Sequence, residues 1–301
     1  MIKLSCVIGV LNGFELADRT IQMMYDNLGN KDEVEIIVID NGSDEAYLYK
    51  TKLKANIGII RNENNTGNYP MFKQGIELAH GEVIAFIHSD VFIFEKGWDQ
   101  KVIAQFEANE KLGLVGFLGS TELDYHGGRG GGTVSNMVKY EDYGSEAEIH
   151  GRRDTGFIID GSVVDGLAMI FRKSVLKEIG FKDDYPRHHF YDRMMSCQVI
   201  EAGYKVGIMG IEHCHCSGKT ANHEQKWQDT AKEWCKVNLG INSPQEWPPL
   251  HPEWFNSLSN ASHGHIPNGW DHVIYLEAEY RFLKEYRDEK HVVPLYFGRR
   301  V

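Results

Sequence analysis

Residues 81–98 read GEVIAFIHSDVFIFEKGW, and the way this stretch divides decides the fold. Val83-Ile84-Ala85-Phe86-Ile87 is apolar at every position and has no helical stripe, the pattern of a strand buried on both faces of a parallel sheet. His88-Ser89-Asp90 interrupts the apolar run before Val91-Phe92-Ile93-Phe94 resumes it. Polar residues at the carboxyl end of a central parallel strand stand where open α/β sheets bind ligands, and a carboxylate there can hold a divalent cation through oxygen. Asp90 as a turn-closing residue is the competing reading, because Asp readily bonds nearby backbone amides.

Toward the amino terminus the same texture repeats. Leu4 to Leu11 reads as a buried strand followed by Asn12-Gly13, and Leu16 to Leu28 carries apolar residues at helical spacing. Glu35 to Ile39 is a second strand, ending in Asp40-Asn41-Gly42-Ser43. Ile57 to Ile60 is a third, followed by an Asn-rich loop and a helix from about Pro70 to His80. The expected order is β-α-β-α-β-α-β with right-handed parallel crossovers, whose ligand edge holds Asn12 and Asp40. No G-x-G-x-x-G or G-K-[ST] loop is present, so the dinucleotide and phosphate-loop signatures are absent.

Toward the carboxyl terminus the spacing predicts a helix over Trp98 to Asn109, a strand at Leu112 to Leu118, a strand at Gly166 to Phe171 and a helix at Ser174 to Ile179. A helix over Phe190 to Ala202 and a strand at Lys205 to Glu212 follow. Residues 119–161, with the glycine-rich run 127–132, are expected to be a long mobile loop, a lid or an acceptor loop.

With 301 residues, 42% of them hydrophobic and 25% charged, the chain has the composition of a soluble globular protein that can bury a core. A net charge of -11 argues against a broad nucleic-acid surface, so a small anionic ligand needs a metal or local donors. No run of about 18 apolar residues marks a transmembrane segment. The amino terminus MIKLSCVIGV leads straight into a strand, which predicts a cytoplasmic location. Five cysteines, an odd count, read as reduced thiols.

The blocks VIDNGS, NTGNYPMFKQGIELAHGEVIAFIHSDV, GWDQKVI, DGLAMIFRKSVLKEIGF, FYDRMMSCQVIEAGYKV and HCHCSG occur in that order over roughly residues 1–220. In this succession the chain resembles the family 2 glycosyltransferases of the GT-A fold. The resemblance implies an α/β fold with a mostly parallel central sheet flanked by helices in residues 1–220, and residues 221–301 read as a mainly helical C-terminal extension packed on it. It also implies transfer of a sugar from a nucleoside diphosphate sugar, UDP-sugar favoured, to a glycan or other hydroxyl acceptor with inversion, assisted by Mn2+ or Mg2+. The chain departs from the family at three places: His88-Ser89-Asp90 stands for the aspartate-any-aspartate motif, Asp40-Asn41 for an aspartate pair, and Tyr191-Asp192 for Glu-Asp.

By this resemblance Val10, Asn12, Asp40, Asn65, Asn68, Ser89 and Asp90 are the expected donor-binding residues. Asp90 is the expected metal ligand, and Asp192 is the general base that takes the acceptor proton. Trp98, Asp165, Gly166 and Tyr191 are the expected acceptor residues. His213 and His215 lie two apart and share a strand face, so one of them completes the metal site, with His215 preferred. His88 is either a further ligand, suited to Mn2+, or a core histidine. Asp40 and the asparagines have a turn reading beside the functional one. Cys214 and Cys216 beside the histidines invite a zinc reading, but the spacing expected for zinc pairs is missing. A catalytically silent sugar-nucleotide or glycan binding module is the alternative. A nucleotidyltransferase lacks its glycine- and lysine-rich loop near residues 10–13.

Overall fold

The computed structural model describes residues 1–48, 56–121, 132–141, 152–182 and 191–216. The first half of the chain runs β1 (Leu4–Val10), α1 (Phe14–Asp26), β2 (Val34–Asn41), β3 (Asn56–Asn62), α2 (Asn68–Leu78), β4 (Val83–His88), β5 (Val91–Ile93) and α3 (Trp98–Ala108). It continues with β6 (Leu112–Gly116), β7 (Leu118–Ser120), β8 (Thr133–Ser135), β9 (Arg152–Arg153), β10 (Phe157–Gly161), β11 (Val163–Val164) and β12 (Ala168–Arg172). The last described elements are α4 (Lys173–Ile179), α5 (Tyr191–Glu201), β13 (Lys205–Met209) and β14 (His213–His215).

Successive side chains on a strand point to opposite faces, so an all-apolar strand must meet a core on each side. In β4, Val83, Ala85 and Ile87 join one buried cluster with Ala17, Ile21 and Met24 of α1 and Trp98, Val102 and Phe106 of α3. Ile84 and Phe86 join another with Phe72 of α2, Val175 of α4 and Met194 and Met195 of α5. Two cores on one sheet give three layers, α/β/α. Burying each large aliphatic or aromatic side chain contributes about 1.5–3 kcal/mol, so β4 holds both cores together.

The main sheet has the order β10-β13-β6-β12-β4-β1-β2-β3. β1 is parallel to β2 and β4, β2 to β3 and β6 to β13, while β12 lies antiparallel between β4 and β6 and β10 antiparallel to β13. The sheet is therefore mostly parallel, as expected. Because β12 runs backward, its amino end meets the carboxyl end of β4, which is level with those of β1 and β2: Ala168 pairs with Ile87, Gly9 with His88, and Val10 with Asp40.

The stretch 119–161 corrects an expectation. Instead of one irregular loop, its described residues include β8, β9 and β10, with Val134, Ser135, Asn136 and Met137 buried. β8 pairs with β7 and β9, and β10 enters the main sheet. The strand read at residues 112–118 divides in two around Phe117. Residues 127–131 of the glycine run, and the whole expected extension 221–301, lie outside the described residues. Among the described residues no helix is long and apolar enough to cross a membrane.

Candidate active site

The turn Ser89-Asp90 carries the chain from the end of β4 into β5. β14 pairs antiparallel with β5, setting His215 opposite Val91, and the Cys216 N–H donates to the Asp90 carbonyl at 2.8 Å. This pairing brings His215 Nε2 to 3.4 Å from Asp90 Oδ1. The His88 ring, at the end of β4, has its centroid 6.1 Å from that of His215. One donor atom from each of His88, Asp90 and His215 lies within 4.8 Å of the others. The Ser89 carbonyl, between them, accepts from Thr20 Oγ1 of α1 at 2.8 Å.

His213 does not join this group. It lies deeper along β14, opposite Ile93, fully buried, with Nδ1 2.7 Å from the Ile211 carbonyl and its ring 5.7 Å from that of Phe117. A shared strand face therefore did not mean a shared site, because one end of β14 reaches the core and the other the sheet edge.

The opposite wall comes from α5 and the loop before β12. Gly166 N–H donates to Asp192 Oδ2 at 3.2 Å, and Asp165 Oδ1 accepts from Leu167 N–H at 3.0 Å, closing the turn into β12. Arg193 Nη1 lies 2.9 Å from Asp192 Oδ1 and 3.0 Å from Oδ2, compensating a carboxylate that is only 6% exposed. Tyr191 Oη stands 3.0 Å from His88 Nε2. Arg193 was missed by sequence reasoning, although its place directly after Asp192 was the signal available.

The remaining expected residues fall into two groups. Asp40 is 1% exposed and turned into its own loop, where it accepts from Ser43 N–H, Tyr47 N–H and Arg61 Nη1–H at 3.0, 2.9 and 3.1 Å. Gly42 follows with φ +85, a conformation that favours glycine. Asn12 exchanges bonds with the same loop, its N–H donating to Ser43 Oγ and its Oδ1 accepting from Asp44 N–H. Asn65 Oδ1 accepts from Asn41 Nδ2 and Gly67 N–H, and Asn41, which stands where the family has the second aspartate of its pair, also accepts from Asn62 and Thr66. Asn68 opens α2 and its side chain bonds that of Tyr191. Val10 is buried at the end of β1.

Trp98 is a correction. It is fully buried, T-shaped against Phe117 at 6.0 Å, and its indole N–H donates to the Met24 carbonyl, while neighbouring Asp99 accepts from Gly29 and Asn30 N–H. The GWD block ties α3 to the end of α1, and a ring with no exposed surface offers nothing to an acceptor.

A family model described as "Glycosyltransferase like family" matches residues 33–240. The chain belongs to this family. Among solved structures, TarS of S. aureus in complex with UDP-GlcNAc superposes with a TM-score of 0.53 at 14% identity, covering 94% of this chain and 73% of that one. A mannosyltransferase of Pyrobaculum calidifontis, in complex with GDP-Man and Mn2+, gives a TM-score of 0.48 at 11% identity, covering 96% of this chain and 76% of that one. No curated protein matches the sequence. The TarS likeness shows a shared GT-A fold.

In this glycosyltransferase-like chain the sheet-edge cluster has the electrostatics of a ligand set. Burial opposes charge on Asp90, yet His215 and His88 hold its carboxyl down to about 2. Burial pulls His215 downward, but the adjacent Asp90 raises it overall, whereas burial prevails at His88 and lowers it. Two imidazoles and one carboxylate suit Mn2+, and with side chains 20% exposed at Asp90 and 15% at His215 the group faces an open edge. The residues present therefore fit a divalent ion.

Proposed function

We propose that this protein is an inverting, metal-assisted glycosyltransferase that moves a sugar from a nucleoside diphosphate sugar, UDP-sugar favoured, to a hydroxyl acceptor. The observation that carries the reading is the convergence of His88, Asp90 and His215 at the carboxyl edge of β4, facing Asp192 at the start of α5, in a chain of a glycosyltransferase family. His88, Asp90 and His215 would hold Mn2+ or Mg2+, which when bound neutralises charge on the leaving diphosphate. The UDP-GlcNAc held by TarS supports the uridine preference.

The chain's own residues divide the remaining work. The loops after β1 and β2, locked by Asn12, Asp40 and Asn41, shape the wall for base and ribose. Asp192 takes the acceptor proton as the hydroxyl attacks from the face opposite the leaving diphosphate, and that approach produces inversion. Gly166 N–H and Arg193 fix the direction of its carboxylate. Asp165 and Gly166, at the head of β12, border the acceptor.

The same contacts favour a second reading. Both Asp192 oxygens are already bonded to Arg193, which suits a silent sugar-nucleotide binding module. A panel of nucleotide sugars with Mn2+, scored for binding, nucleoside diphosphate release and sugar transfer, separates the two. Transfer with release supports the enzyme, and binding without either supports the module.

A further inference from the structure

Metal-bound imidazoles are commonly oriented by a hydrogen bond to the nitrogen that does not ligate, and losing that partner typically costs about 10–100-fold in metal affinity. At the sheet edge such a partner exists for His88. Its Nε2 lies 3.0 Å from Tyr191 Oη, so Nδ1 is the atom left to ligate. Tyr191 is itself fixed: 3% exposed, its ring 5.7 Å from Phe72 in an edge-on contact and its hydroxyl also bonded by the Asn68 side chain. Residue 166 is glycine where a Cβ would overlap the Tyr191 hydroxyl, so the loop before β12 keeps open the space this oxygen occupies. The loop before β12 and the helices α2 and α5 thus converge on one phenol oxygen that touches His88.

We infer that Tyr191 is a positioning residue for the metal site: its hydroxyl accepts from His88 Nε2–H and presents His88 Nδ1 to a divalent cation beside Asp90 and His215. Tyr191 then acts through His88 and not through the acceptor, the role its place in the sequence suggested. The inference rests on the metal reading of the proposed function.

The test is a double-mutant cycle on the full chain, with Mn2+ alone as probe, read as free-ion loss by electron paramagnetic resonance and by calorimetry. Tyr191→Phe keeps the ring and removes the oxygen, and Mn2+ affinity is expected to fall about 10-fold or more. In a His88→Ala background the same change is expected to have no further effect, because the residue it acts through is gone. Equal losses in both backgrounds, or no loss in the wild-type background, overturn the inference while leaving the metal site standing. Asp90→Asn tests the reading beneath it: if the wild type binds no Mn2+, or Asp90→Asn binds as well as wild type, the metal site fails and the inference with it. Melting curves on each variant confirm that folded protein is compared, and Asn68→Ala offers a second route to the same oxygen, expected to weaken Mn2+ in the same direction as Tyr191→Phe.

Discussion

At the scale of the residue, Asp192 and Arg193 carry opposed demands. The carboxylate is buried and must be compensated, and Arg193 supplies that charge from the next position along the chain. Asp192→Asn is expected to lower transfer about 10²–10⁴-fold with donor affinity little changed, and to lower the melting temperature because Arg193 loses its charge partner. Transfer measured per folded molecule checks this, and a variant that loses only stability contradicts the base assignment. The pair Asp90–His215 predicts a pH signature in metal-free protein. With its folded value raised above 6.5 by Asp90, His215 contributes stability that is fully present below 6.5 and lost as pH rises through the raised value. Asp90, held at about 2, contributes above the ordinary carboxylate value and loses that contribution as pH falls toward its own. His88, lowered by burial, works with the opposite sign near neutrality. In a chelator, the gap in melting temperature between wild type and His215→Asn is therefore expected to be widest below 6.5 and to narrow as pH rises through the raised value. A gap that grows as pH rises from 6.5 contradicts the assignment. Asp90 stood out in the sequence because polarity interrupts an apolar strand there, whereas i, i+2 spacing marked His213 as much as His215 and did not choose between them. The turn reading of Asp40 was legible too, since Ser43 N–H and Tyr47 N–H close it locally, but its ion pair with Arg61 and the burial of Trp98 were not, because Arg61 in one case and Met24 and Phe117 in the other come from other elements.

At the scale of the element, β4 does what its unbroken apolar run implied and supplies one set of side chains to each core. Phe86 stacks on Phe72 at 4.4 Å and meets Phe171 edge-on at 5.9 Å. Phe86→Ala is expected to cost about 3–5 kcal/mol by denaturant titration, the range for emptying a buried phenylalanine site. A cost below about 1 kcal/mol would show that the second core does not depend on this strand. Helix α5 departs from the amphipathic pattern, because every residue from Tyr191 to Val199 is buried, including Asp192, Arg193, Ser196 and Gln198. A buried helix has no apolar stripe to distinguish, so its extent could be read from the residues and its setting could not. The strands within residues 119–161 escaped for a different reason. β8 and β9 are three and two residues long and gain their order from pairing with each other and with β7, which no local period records.

At the scale of the whole molecule, the long parallel half from β1 to β4 was readable because each crossover is local, and it fixed the ligand edge before any side chain was placed. The closing of that edge was not readable, since β12 runs backward between β4 and β6 and β14 returns to β5 from more than a hundred residues away. For a chain of net charge -11 to bind an anionic diphosphate, as proposed, compensating charge must be concentrated at one place, and a divalent cation held by His88, Asp90 and His215 would supply it. The most direct test is the rate of sugar transfer from a UDP-sugar in the presence of Mn2+, measured side by side on the wild type and on Asp90→Ala at equal concentrations of folded protein. Transfer by the wild type, abolished by chelator, is expected, with a loss of at least about 10²-fold in Asp90→Ala, the scale of removing one group that stabilises developing charge. Transfer by Asp90→Ala at the wild-type rate, or transfer indifferent to chelator, would contradict it.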